Sequence, residues 1–241
     1  MTEPILIQRD GPVTRITLNR PETGNILTLP MIRELALRLG EAGADPTTKA
    51  VVVRGNGENF CRGREPGPKR EGSAPSALEI RQRVIQPILS VYEAVRKVPV
   101  PVVSVVTGAA FGFGCALAGA SDVTIASEQA RFALPEMRGD LPPTLAISAL
   151  MDRVPMKALA YLVYSTLEVD AATALSLGLV SRVVPHADLE SEVGRFLDGL
   201  TQGSVPALSA VKQYLSNARR MEPDAAANFA AHLLATVLSS R

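Results

Sequence analysis

The sequence has no tryptophan, only two histidines and two cysteines, and aromatic residues make up 4% of its 241 positions. Cys61 and Cys115 stand in apolar or glycine-rich surroundings with no repeating spacing. Neither a disulfide framework nor a zinc site is therefore expected, and a reducing cytoplasm is the expected home. His186 and His232 are far apart and neither has a third ligand nearby, so no metal site is expected. An excess of one charge is also missing: 25 basic and 24 acidic side chains give a formal charge of +1. That balance argues against partners held by bulk electrostatics, so neither nucleic acid nor an anionic membrane surface is expected. The longest apolar runs, around Val100–Val106 and Leu141–Met151, are broken by Pro, Gly or Ser and fall short of the ~20 residues that cross a bilayer. The opening MTEPILIQRDG has no basic stretch before an apolar core, so no signal peptide is expected.

What is present is a sequence long enough for one sizeable core, with 46% apolar residues. Ile5–Gln8 and Val13–Leu18 read as strands joined by the turn signal Asp10-Gly11-Pro12. Apolar residues at helical spacing over Pro30–Ala42 predict a helix that stops at Gly43. Lys49–Arg54 reads as a buried strand. After Phe60–Glu65 comes a loop rich in Pro, Gly and charge that runs to about Pro75, and a long helix follows from about Ser76 to Lys97. Val100–Val106 and Asp122–Ala126 read as strands flanking a helix over Cys115–Ala120. Val180–Val184 is one more strand, and the last third is otherwise helical. Strands alternating with helices, then a helical tail, predict an α/β fold with helical additions.

Two segments invite a chemical reading. Gly63 follows a strand and a turn in Phe60–Glu65, and Gly112-Phe113-Gly114 stands at the start of a helix. Main-chain N–H groups at a helix start have no partner inside the helix and favour negative charge. Two such donors from different segments hold a developing oxyanion, one of them being worth roughly 2.7–4 kcal/mol in rate. The alternative is that the glycines simply let a helix pack tightly on a strand.

The ordered set NRPETGNILTLPMIREL (19–35), VVVRGNGENFCRGRE (51–65), GAAFGFGCALAGASDVTIAS (108–127), ARFALPEMRGDLPP (130–143) and DAATALSLGLVSRVVP (170–185) resembles the crotonase family, the enoyl-CoA hydratase/isomerase superfamily. The likeness runs from about Asn19 to Lys212. It implies a crotonase-like fold of repeated β-β-α units over residues 1–190, which carry the active site. It implies a helical region over 191–241 that makes trimers or dimers of trimers. It also implies a coenzyme A thioester as substrate and no separate cofactor. The oxyanion donors would be the N–H groups of Arg64 and Phe113, with the thioester oxygen as the close visitor at Gly112 and Gly114. Gly63, with Arg62, would complete the first donor segment. Asn25-Ile26-Leu27 would line the coenzyme A groove through its backbone, or else form a helix-entry turn with Leu27 buried.

The family's hydratases carry one glutamate where this sequence has Ala116, and a second in a Pro-Glu pair, here Glu136. Hydration needs one group to activate water and another to protonate the α-carbon. One carboxylate suffices to move a double bond, so the pattern resembles the family's isomerases, with Glu136 as proton shuttle. Asp140 is either a supplementary acid or the cap of a helix starting near Pro142. Phe113 takes a slot usually held by glycine, and its ring would narrow the acyl pocket. Arg62 and Arg64 would meet the coenzyme A phosphates or a carboxylate on the acyl group, or else remain solvated. The family's last helix usually runs further than Arg241, so the nucleotide would be more exposed or held by a neighbouring subunit. Hydratase or other lyase chemistry is one alternative, and a non-catalytic acyl-CoA-binding homologue is another.

Overall fold

The computed structural model describes residues 3–66 and 75–239. Most of the loop expected before Pro75 lies outside them. Strands β1 (Ile5–Asp10) and β2 (Val13–Leu18) form an antiparallel hairpin, and Gly11 supplies the positive φ of its turn, +54°. β2 then pairs in parallel with β3 (Ala50–Gly55) after the helix α1 (Leu29–Ala44), with Val13 opposite Ala50 and Leu18 opposite Gly55. Two further parallel partners, β4 (Val102–Val106) and β6 (Val123–Ser127), extend the sheet. A last short strand, Arg182–Val184, closes it on β6, giving six strands.

Period-two alternation along β3 and β4 sends side chains to two different cores. Val51, Val53, Val102 and Val106 pack with Ile32, Leu35 and Leu39 of α1. Ala50, Val52, Val103 and Val105 face the other way, against Leu189, Val193 and Leu197 of the helix Leu189–Thr201. That helix is also tied to the sheet by Glu190, whose carboxylate receives both terminal nitrogens of Arg54 at 2.6 and 3.0 Å. The boundary expected at residue 190 therefore falls inside a helix packed on the core.

The long helix expected over 76–97 begins with α2 (Ala77–Ile80), which has a capping box between Ser76 and Glu79. It passes through a π-helical turn, Arg81–Ile85, and continues as α3 (Gln86–Lys97). Three strands that sequence patterning missed make a second small sheet. They are β5 (Ala109–Phe111), β7 (Arg131–Ala133) and β8 (Val169–Asp170), in the order β5-β7-β8. The short helix α4 (Phe113–Ala120) leaves β5 directly.

Beyond residue 201 the helices Val205–Asn217 and Pro223–Ser239 form the tail. Lys212 anchors it. Its side chain is buried, its ammonium donates to the carbonyls of Val95 and Val100 at 2.8 and 3.0 Å, and it meets Asp122 at 2.7 Å. Burial pulls the pKa of this ammonium down, while the Asp122 carboxylate beside it pushes it back up. Among the described residues, no helix is long and apolar enough to cross a membrane.

Candidate active site

The segment 60–65 is stitched to the chain on both sides. On one side Cys61 N–H donates to Ala109 and Phe111 N–H donates back to Cys61. On the other, Arg62 N–H donates to Gly24, Leu27 N–H to Gly63, and Glu65 N–H to Leu27. Because Gly63 and Glu65 turn their main-chain groups toward Leu27, the Arg64 N–H points to the opposite side. It has no acceptor among the described residues. The N–H of Phe113, first residue of α4, has none either, as expected of a first-turn donor. Arg64 and Phe113 border one cavity of about 560 Å³.

The glycines in this region answer to protein atoms. Gly112 has φ +51° and ψ −114°, a conformation open to glycine alone, and a Cβ there would stand 3.0 Å from Glu136 Oε1. At Gly114 a Cβ would stand 2.2 Å from the Cys61 carbonyl oxygen. The close visitor at Gly114 is therefore the main chain of Cys61, which corrects the expectation of a thioester oxygen. Gly114 is buried and does not border the cavity, whereas Gly112 and Gly63 (φ +118°) do.

Glu136 is carried to this place by β7. Gly112 N–H donates to the Ala133 carbonyl at 2.9 Å, which lays Leu134-Pro135-Glu136 across the start of α4. Its carboxylate is half-buried, and Oε2 is buried with no hydrogen-bond partner. Burial raises its pKa above the usual carboxylate range, and this outweighs its own main-chain N–H and the Arg64 charge, which both pull it down. Among the described residues bordering the cavity, Glu136 supplies the sole carboxylate. The rest of the wall is largely apolar, made by Ile80, Val84, Ile85 and Ile88 from one side and, from the other, by Leu141 to Ala146, where Thr144 is the one polar side chain.

Asp140 is exposed, has φ +54° and does not border the cavity. It also fails to cap the next helix, Thr144–Leu150, whose N-cap is Pro143 with no side-chain bond. Asp140 instead closes the 3-10 turn Glu136–Gly139 as its left-handed C-cap, a conformation that aspartate tolerates. Asn25, Ile26 and Leu27 do not border the cavity either. Asn25 is a buried knot with φ +58°. Its Oδ1 accepts from Arg20 N–H at 2.9 Å, and its Nδ2 donates to the carbonyls of Asn56 and Asn59 at 2.9 and 2.7 Å. Leu27 is fully buried, and the Ile26 carbonyl accepts from the Arg20 guanidinium at 3.1 Å. Arg62 is exposed at the cavity mouth, its stem lying over Gly24, and Arg64 is half-buried.

Ala116 is wholly buried and outside the cavity lining. Both thiols are buried and free, and burial pushes Cys61 up to about 12 and Cys115 up as well, so neither is a thiolate nucleophile. Sequence reasoning missed Tyr92. It sits on α3, is 2% exposed, borders the cavity and stacks on Phe113 with ring centroids 5.7 Å apart. Only its place in the apolar stripe of the helix signals it, and that stripe reads as ordinary core.

A main sheet parallel from its second strand onward, a small companion sheet, and an N–H pair without acceptors among the described residues beside a desolvated carboxylate define a crotonase-type α/β protein. The solved structure of an enoyl-CoA hydratase from Mycobacterium smegmatis superposes with a TM-score of 0.91 at 28% identity, over 98% of this chain and 91% of that one. The chain belongs to the enoyl-CoA hydratase/isomerase family, whose sequence model matches residues 8–241. A probable enoyl-CoA hydratase of Rhizobium meliloti is 33% identical over 213 residues, covering 88% of this chain and 80% of that protein. The mitochondrial enoyl-CoA hydratase domain-containing protein 3 of Xenopus laevis is 30% identical over 199 residues, covering 83% of this chain and 67% of that protein.

Proposed function

We propose that the protein shifts the double bond of 3-enoyl-CoA thioesters to the 2-position, with Glu136 as the proton shuttle. The ionised carboxylate takes a proton from C2, and the electron pair moves onto the thioester oxygen, held between the N–H groups of Arg64 and Phe113. The carboxylic acid so formed returns the proton to C4 as the double bond moves from C3–C4 to C2–C3. No water enters, so one acid/base group completes the cycle. The observation that carries this reading is that Glu136, unpartnered at Oε2, is the one carboxylate among the described residues around the cavity. The apolar wall suits a hydrocarbon acyl chain.

The names of the relatives favour a second reading, hydration of 2-enoyl-CoA. Glu136→Gln with a 3-enoyl-CoA substrate tests the first. Formation of the conjugated product is expected to fall by about 10²–10⁴-fold, with binding of a saturated acyl-CoA held within about twofold. Unchanged turnover would dismiss Glu136. Steady conversion of 2-enoyl-CoA to the 3-hydroxy product, without isomerisation, would establish the second reading. Tight acyl-CoA binding with no turnover of either substrate would mark a binding homologue.

We further propose assembly as a homotrimer through the tail helices. Val211, Leu215, Leu234 and Leu238 expose more than half of their surface there, which supports a partner surface.

A further inference from the structure

The Tyr92 side chain lies between α3 and the start of α4, with its ring against Phe113 and only 2% of its surface exposed. A tyrosine in such a position normally finds a partner for its hydroxyl. Here no hydrogen bond to it is found among the described residues, yet it is not one of the enclosed unpartnered atoms, which are Arg38 Nε and Glu136 Oε2, so it opens to the cavity that Tyr92 borders. Phenylalanine would keep the stack, so the packing of the ring alone gives no reason for tyrosine. The neighbourhood of the hydroxyl does give one. Tyr92 borders the same cavity as Arg64, Phe113 and Glu136. Burial first, and then the Glu136 charge, push its pKa up, so the hydroxyl stays protonated through the working range and is a donor.

We propose that Tyr92 is a further catalytic residue, whose hydroxyl donates a hydrogen bond to the enolate of the bound thioester alongside the N–H groups of Arg64 and Phe113. This inference rests on the enolate chemistry proposed above and is indifferent to whether the enolate leads to isomerisation or hydration. No bond to Tyr92 forms or breaks, and its proton stays on the phenol. The stack on Phe113 gives the hydroxyl a fixed seat, because both rings are buried and hold each other.

Tyr92→Phe isolates the hydroxyl. A hydrogen bond to a charged group predicts that kcat falls about ten- to a hundredfold while KM stays within about twofold. The melting temperature is expected to hold or rise, since the ring and its stack are kept. A merely structural tyrosine would leave kcat where it was, and that result overturns the proposal. A second measurement does not require turnover. Acetoacetyl-CoA carries an enolisable thioester whose ionised form absorbs in the near ultraviolet, whereas butanoyl-CoA does not ionise. The native protein is expected to bind acetoacetyl-CoA more tightly than butanoyl-CoA and to deepen the enolate absorbance. Tyr92→Phe is expected to cut that preference about tenfold with butanoyl-CoA unaffected. An unaltered preference, or equal weakening for both ligands, refutes the role of the hydroxyl. Failure of the native protein to turn over any enoyl-CoA refutes the proposed reaction instead, and leaves this comparison readable.

Discussion

At Glu136 one carboxylate is held where burial opposes its charge, and the direction of that shift fixes two pH effects. A general base works ionised, so kcat/KM is expected to fall on the acid side through a pKa above the usual carboxylate range. Arg64 pulls this pKa down, so in Arg64→Ala the acid limb should move to higher pH, read from a pH–rate profile. A raised folded-state pKa means that the ionised form opposes folding. That cost is present above the folded pKa and disappears as pH falls through it, so Glu136→Gln should melt higher than the native protein at neutral pH and converge with it in acid. Next to it, Gly112→Ala places a methyl 3.0 Å from Oε1 on a backbone that alanine resists. A stability loss of about 1–3 kcal/mol in chemical denaturation, with a larger loss of turnover than of acyl-CoA binding, is the expected outcome.

At the level of elements, the site depends on a loop held by side chains distant in sequence. Asn25 bonds to Arg20, Asn56 and Asn59, and through that knot keeps the 24–27 segment beside 62–65. Asn25→Ala should cost about 2–4 kcal/mol, because it removes three hydrogen bonds of a buried side chain and leaves three part-buried main-chain groups without it. Urea titration reads this, and turnover should fall further than the folded fraction accounts for. The family resemblance implied that the glycine run, both donor segments and Glu136 share one site, because their motifs stand in the family's order. It left the role of Asn25 open, since its carbonyl partners lie 31 and 34 residues away. The strands β5, β7 and β8 escape sequence patterning because three-residue and two-residue strands are too short to show an alternation. Gly114 was assigned to substrate because a helix start in a glycine run looks the same whether a ligand or the Cys61 carbonyl fills the space.

Across the molecule, the core and its tail are joined by a buried charge. Lys212 holds two carbonyls and Asp122, and Asp122 in turn accepts from Val102 N–H and meets Arg153 at 3.2 Å. Lys212→Met leaves these acceptors short of a donor, so a loss of about 3 kcal/mol is expected, with early proteolysis of the tail as its signature. If the tail carries the proposed trimer contacts, the same variant should sediment as a smaller species than the native protein. The stitching of residues 60–65 bears on how such a chassis accepts new cargo. Main-chain bonds from two remote stretches aim the amide of position 64, and none of them consults the side chain it carries. A bulky cation can ride there without spoiling that aim, which leaves the chain free to drift in what it recognises while conserving how it reacts.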